Sequence, residues 1–112
     1  MKSRGNKYGA RKVECRHGHK HDSMAEAKTC CDLHFRQAAG EIRELKVHPR
    51  FELTAHGETI GFMKPDFGYW ADDARVVHEV KSEETAKGEA YRLRKRLFQA
   101  NYPGVRFVEE VR

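Results

Sequence analysis

"PDFGYWADDARVVHEVKS", residues 65–82, is the stretch on which the reading of this chain turns. ADDAR reads as a tight turn, and the runs on either side of it read as strands. Side chains alternate along a strand, so Val76, His78 and Val80 share one face while Val77, Glu79 and Lys81 share the other. A turn over Ala71–Arg75 pairs the two strands antiparallel, with facing positions whose numbers add to about 145. Asp66 then lies opposite Glu79. Two facing carboxylates destabilise a sheet unless something neutralises them. A hard divalent cation does so through oxygen ligands. Lys81, two residues along the same face, can orient or deprotonate a water on that ion and stabilise charge on a phosphate. The plainer alternative is a same-strand Glu79–Lys81 ion pair at a sheet edge, worth less than ~1 kcal/mol if exposed.

Upstream, "LKVHPRFEL" (45–53) alternates, with Leu45, Val47, Phe51 and Leu53 on one face and Lys46, His48, Arg50 and Glu52 on the other. It reads as one half-buried strand in which Pro49 marks an edge or bulge, with His48 solvated beside Lys46 and Arg50. A turn at AHGE (55–58) leads into a second strand, TIGFMKPDFGYW (59–70), which completes a three-strand antiparallel meander. Before the meander, "DSMAEAKTCCDLHFRQAAG" (22–40) has a helix signature. Ser23 and Glu26 match a capping box, Ala27, Cys31, Phe35 and Ala38 form an apolar stripe, and Gly40 is a C-terminal stop. After the meander, Thr85 to Asn101 reads as a helix with Ala86, Ala90, Leu93 and Leu97 inward, and VRFVEEV (105–111) as a last strand. The expected fold class is α/β: helix, meander, helix, strand, a small mixed sheet flanked by helices. Residues 1–12 read as a flexible basic arm, residues 13–112 as one domain, and "KVECRHGHKHD" (12–22) as a hairpin turning at Gly18.

The formal net charge of +5 is unevenly spread. Residues 1–21 hold seven Lys/Arg against one Glu, whereas residues 22–82 hold eight basic and eleven acidic side chains. Arg92, Arg94, Lys95 and Arg96 then crowd into five positions. Basic ends around a mildly acidic middle suit a protein that binds a polyanion and reserves its carboxylates for something else. No apolar run approaches the roughly 20 residues of a membrane span, and the N-terminus lacks a signal-peptide core, so no membrane partner and a cytoplasmic location are expected. Cys15, His17, His19 and His21, with Cys30, Cys31 and His34 behind them, offer zinc-type ligands. Their spacing fits no standard finger and contains no CxxC, so exposed hairpin histidines are expected rather than zinc. His78, on the face of Val76 and Val80, is expected to be packed.

PD at 65–66, followed after twelve residues by EVK at 79–81, resembles the PD-(D/E)XK nuclease motif. Together with "KYGARKVE", "DSMAEA", "PDFGYW", "EVKS" and "YRLRKRLF", it resembles a phage-borne nuclease family long filed as a domain of unknown function. The resemblance covers nearly the whole chain. It implies a restriction-endonuclease-like core and a Mg²⁺- or Mn²⁺-dependent endonuclease acting on DNA, working in a host cytoplasm. It implies Asp66, Glu79 and the Val80 carbonyl as metal ligands and Lys81 as the catalytic lysine. Glu26 matches the additional acidic residue of many such enzymes, including phage Holliday-junction resolvases, although its capping role explains it equally. Lys12, Arg92, Lys95 and Arg96 are expected to contact phosphates. Tyr91 suits either the core or the substrate backbone. A resolvase would need two active sites and so a homodimer, for which the sequence offers no decisive face. The rival from another class is a non-catalytic nucleic-acid-binding module, which would need only the basic arm and helix.

Overall fold

The structure, a computed structural model, describes residues 13–14, 18, 20–21 and 23–112. The expected basic arm, with Lys12, and Cys15, His17 and His19 lie outside the described residues. The elements run β1 (Val13–Glu14), β2 (Lys20–His21), α1 (Met24–Ala38), β3 (Arg43–Val47), β4 (Phe51–Ala55), β5 (Glu58–Met63), β6 (Phe67–Ala71), β7 (Ala74–Lys81), α2 (Glu83–Lys87), α3 (Glu89–Asn101) and β8 (Arg106–Val111). The chain is mixed α/β, with a four-stranded sheet in the order β3-β6-β7-β8. β8 runs parallel to β7, and the other pairs are antiparallel. Among the described residues no helix is long and apolar enough to cross a membrane.

The expected meander is present as pairing but not as three strands. Both long strands break at a proline. Strand 45–53 splits at His48, whose φ of 55° is left-handed, and Pro49, which has no N–H for a ladder. Strand 59–70 splits at Lys64 to Asp66, around Pro65. The inner halves, β3 and β6, stay in the main sheet, and the outer halves, β4 and β5, pair as a separate hairpin. The last bond before the bend runs from the His48 N–H to the Asp66 carbonyl at 2.9 Å. Pro49 there crosses so closely that a Cβ on Gly68 would sit 3.1 Å from its Cγ, which a glycine avoids. The turns match expectation: His56 and Gly57 both have positive φ, as a two-residue hairpin loop requires. Phe67 faces His78 and Ala71 faces Ala74, the anticipated register.

Helix α1 starts on Ser23, whose Oγ accepts the Glu26 N–H at 3.1 Å. It ends in a Schellman pair, Gly40 N–H to Gln37 and Glu41 N–H to Arg36, with left-handed Gly40 making the turn. The expected apolar stripe is corrected. Phe35 is 75% exposed and Ala38 is exposed, while Glu26, Ala27, Thr29, Cys30 and Leu33 face inward. Downstream, the expected single helix breaks at Gly88, whose extended backbone ends α2 and opens α3. Leu93 is 68% exposed and Ala90 is exposed, while Leu97 packs on the core as expected; the inward face also carries Tyr91, Lys95 and Phe98. In both helices the inward face carries polar residues, which a search for apolar spacing passes over.

Alternation along β7 divides the interior into two clusters. Val76 and Val80 pack with Phe67, Tyr69 and the α1 residues Ala27, Cys30 and Leu33. Val77 packs with Phe98 of α3 and with Phe51, Leu53 and Met63 of the hairpin. His78 is buried as expected, bonded to the Tyr69 hydroxyl at 2.9 Å and to Glu110 at 2.8 Å. The sheet is thereby clamped between α1 and α3, and the proline bend and the C-terminal end of β7 meet at one edge of the clamp.

Candidate active site

At that edge three carboxylates converge from three elements. Glu26 comes from the first turn of α1, Asp66 from the bend before β6, and Glu79 from β7; they are 4%, 8% and 3% exposed. Buried acids are rare unless something compensates them. Asp66 is tied to β7 from both sides. Its Oδ2 accepts the Val80 N–H at 2.8 Å, and its own N–H is donated to Glu79 Oε1 at 3.3 Å. The facing pair anticipated from the turn register is thus made through these backbone bonds. Val80 reaches the site through its N–H.

Burial, reinforced by the charges of Glu79 and Glu26, pushes the Asp66 carboxyl up to about 8, against the opposing Val80 N–H and Lys81. The carboxyl therefore holds a proton where an ordinary aspartate would not. Lys81 Nζ lies 3.6 Å from Glu79 Oε1 and 5.3 Å from the centre of the Tyr91 ring. With Glu79 buried and Lys81 only about a quarter exposed, this is not the solvated surface pair considered first. The Tyr91 hydroxyl donates to Glu109 at 2.9 Å, and Lys95 Nζ approaches the same oxygen at 2.9 Å. The Lys95 bond draws the Glu109 carboxyl down, against the effect of burial. Burial and then Glu109 hold the Tyr91 hydroxyl well above its usual range, so it stays a neutral donor.

His48 was missed. It is exposed as expected, its side chain 40% accessible, but its Nε2 also lies 2.8 Å from Glu26 Oε2, a contact the alternation does not indicate. Its left-handed backbone breaks the alternation that had grouped it with Lys46 and Arg50. The only available signal was the His-Pro step inside an otherwise regular strand. Glu26, His48 and Asp66 each offer one ligand atom, all within 4.8 Å of one another. This tight group differs from the expected set, because Glu79 stands beside it holding Asp66 and Lys81. Ligand oxygens about 2.2 Å from one ion lie at most about 4.4 Å apart, so closure by a few tenths of an ångström would let one cation bridge these three. Two buried carboxylates and an imidazole therefore suit a divalent cation.

Beside the site, Arg92, Lys95, Arg96 and Gln99 project from one side of α3, as i, i+3 and i+4 spacing dictates. With Ala86 and Glu109 they line a cleft of about 330 Å³. Glu109 belongs to both places, linking the cleft to Lys81 through Tyr91. Lys95 is partly committed to Glu109, whereas Arg92 and Arg96 are exposed.

Neither a curated protein nor a solved structure matches this chain. One family profile, described as "Protein of unknown function (DUF1064)", matches residues 5–112. With nearly its whole length covered, the chain belongs to the DUF1064 family.

Proposed function

We propose that this chain is a divalent-metal-dependent DNA endonuclease of the PD-(D/E)XK type, built on a restriction-endonuclease-like core. The observation that carries the reading is the meeting of Asp66, Glu79 and Lys81 at one end of paired strands, with Glu26 arriving from α1. Phosphodiester hydrolysis needs charge neutralised at the phosphate, a water aligned opposite the leaving oxygen, and a group to handle its proton. A bound Mg²⁺ or Mn²⁺ would supply Lewis acidity and lower the pKa of water. Asp66 and Glu26 would hold the ion. Glu79 fixes the Asp66 backbone and pairs with Lys81, and the Lys81 ammonium would orient the attacking water and stabilise charge on the phosphate. The arginines of α3 would hold the neighbouring backbone phosphates, an interaction that carries no sequence preference. Branched recombination or replication intermediates are the substrates this reading favours, and two-strand cleavage would then require a homodimer.

The test is cleavage of linear duplex, single strand, flap and four-way junction side by side, in Mg²⁺, in Mn²⁺ and in chelator. Metal-dependent cleavage of any of them is expected. DNA binding with no cleavage in either metal would leave a binding module in its place.

A further inference from the structure

We infer that His48 is itself a ligand, so that the site takes a transition-metal ion, Mn²⁺ in preference to Mg²⁺. The inference rests on the metal-site reading above and goes beyond it in the donor set and in the metal selected.

Three features lead to it. The imidazole does not meet Glu26 alone: Glu26, His48 and Asp66 have one donor atom each within a 4.8 Å group, so the histidine completes a three-point site. The donors come from a helix, a strand break and a second strand break, elements brought together only by the fold. And the backbone at His48 adopts φ 55°, an uncommon conformation for a residue other than glycine. That conformation is held by the His48 N–H bond to the Asp66 carbonyl at 2.9 Å, against the preference for extended backbone that a following proline imposes. In a continued strand, His48 would project with Lys46 and Arg50. The turn of the chain directs it instead onto Glu26.

The choice of metal follows from ligand chemistry. Mg²⁺ prefers an all-oxygen shell and keeps several waters. Imidazole nitrogen suits transition ions better, and a mixed carboxylate–imidazole set raises their affinity relative to Mg²⁺. The alternative is that His48 only positions Glu26 through the 2.8 Å contact. Gln separates the two roles, since its amide can still donate to Glu26 but is a poor metal ligand.

The experiment is calorimetric titration of the full chain with Mn²⁺ and with Mg²⁺, for the parent, His48→Gln and His48→Ala, alongside the visible absorption of added Co²⁺. Thermal midpoints in chelator confirm that each variant is folded. Tighter Mn²⁺ than Mg²⁺ binding is expected in the parent. Both variants should lose about tenfold or more in Mn²⁺ affinity, keep Mg²⁺ affinity within about threefold, and shift the Co²⁺ band. Should His48→Gln bind Mn²⁺ like the parent with an unchanged Co²⁺ spectrum, His48 is a positioning residue and the inference is overturned. A parent that binds no divalent ion would overturn the metal-site reading itself, an outcome distinct from the first.

Discussion

Replacing Asp66 with Asn tests the electrostatics of the site without any assumption about substrate. The amide is nearly isosteric, and its oxygen can still accept the Val80 N–H. In the metal-free protein the folded Asp66 carboxyl sits at about 8 against an ordinary 3.8. Raised in this way, it contributes its full stability below about pH 4 and loses it as pH climbs through 8. Each pH unit in that window costs about 1.4 kcal/mol, so near pH 7, roughly three units above the ordinary value, the penalty reaches up to about 4 kcal/mol. Asp66→Asn escapes it. In denaturant unfolding at pH 5, 6, 7 and 8 with chelator present, the stability of the variant minus that of the parent should rise steadily. The slope of this difference is the measurement, because it cancels the titrating groups that do not interact with Asp66 and any fixed effect of the amide. Saturating divalent metal should reverse the ranking by stabilising the parent alone. A difference that stays flat from pH 5 to 8 would refute the reasoning, since Asp66 would then ionise as readily in the fold as in the unfolded chain.

Three further outcomes are expected. Lys81→Ala should bind divalent metal calorimetrically like the parent yet lose cleavage by orders of magnitude; normal cleavage by this variant would remove the hydrolytic role given to the lysine. Arg92→Ala with Arg96→Ala should weaken DNA binding for all sequences alike and lower the log–log salt slope by up to about two, read by anisotropy across a salt series. Phe98→Ala should cost about 3–5 kcal/mol in denaturant unfolding, because Phe98 is fully buried and meets the rings of Phe51, Tyr102 and Phe107.

The parts of this molecule legible in its sequence are those governed by local rules. Ser23 and Gly40 bound α1 through backbone bonds that their own chemistry supplies. The Asp72–Asp73 turn fixes a register that carries Asp66 toward Glu79. Apolar spacing does not find the inward faces of the two long helices. Glu26, Thr29, Tyr91 and Lys95 face inward because partners across the fold receive them, and no spacing rule contains those partners. The His48 contact is missed for a related reason. Strict alternation assumes an unbroken ladder, and one left-handed residue before a proline cancelled it. The candidate site's principal acids and its lysine were accessible from the sequence, whereas the histidine required the third dimension.

The two proline breaks also have an evolutionary consequence. They separate the β4–β5 hairpin from the main-sheet strands β3 and β6, so its outer end, at His56–Gly57, is free to change length. Adding or deleting one residue from each arm beyond the Thr54–Asn101 contact would preserve the pairing while altering how far the hairpin projects. A residue inserted in one arm alone would invert every side chain beyond it or force a bulge. Exposed Ile60 and Phe62 lie on that arm, with Arg50 stacked over the Phe62 ring at 3.7 Å. Natural variation among relatives should therefore accumulate at this tip in balanced steps, giving an adjustable reach on a fixed chemical base.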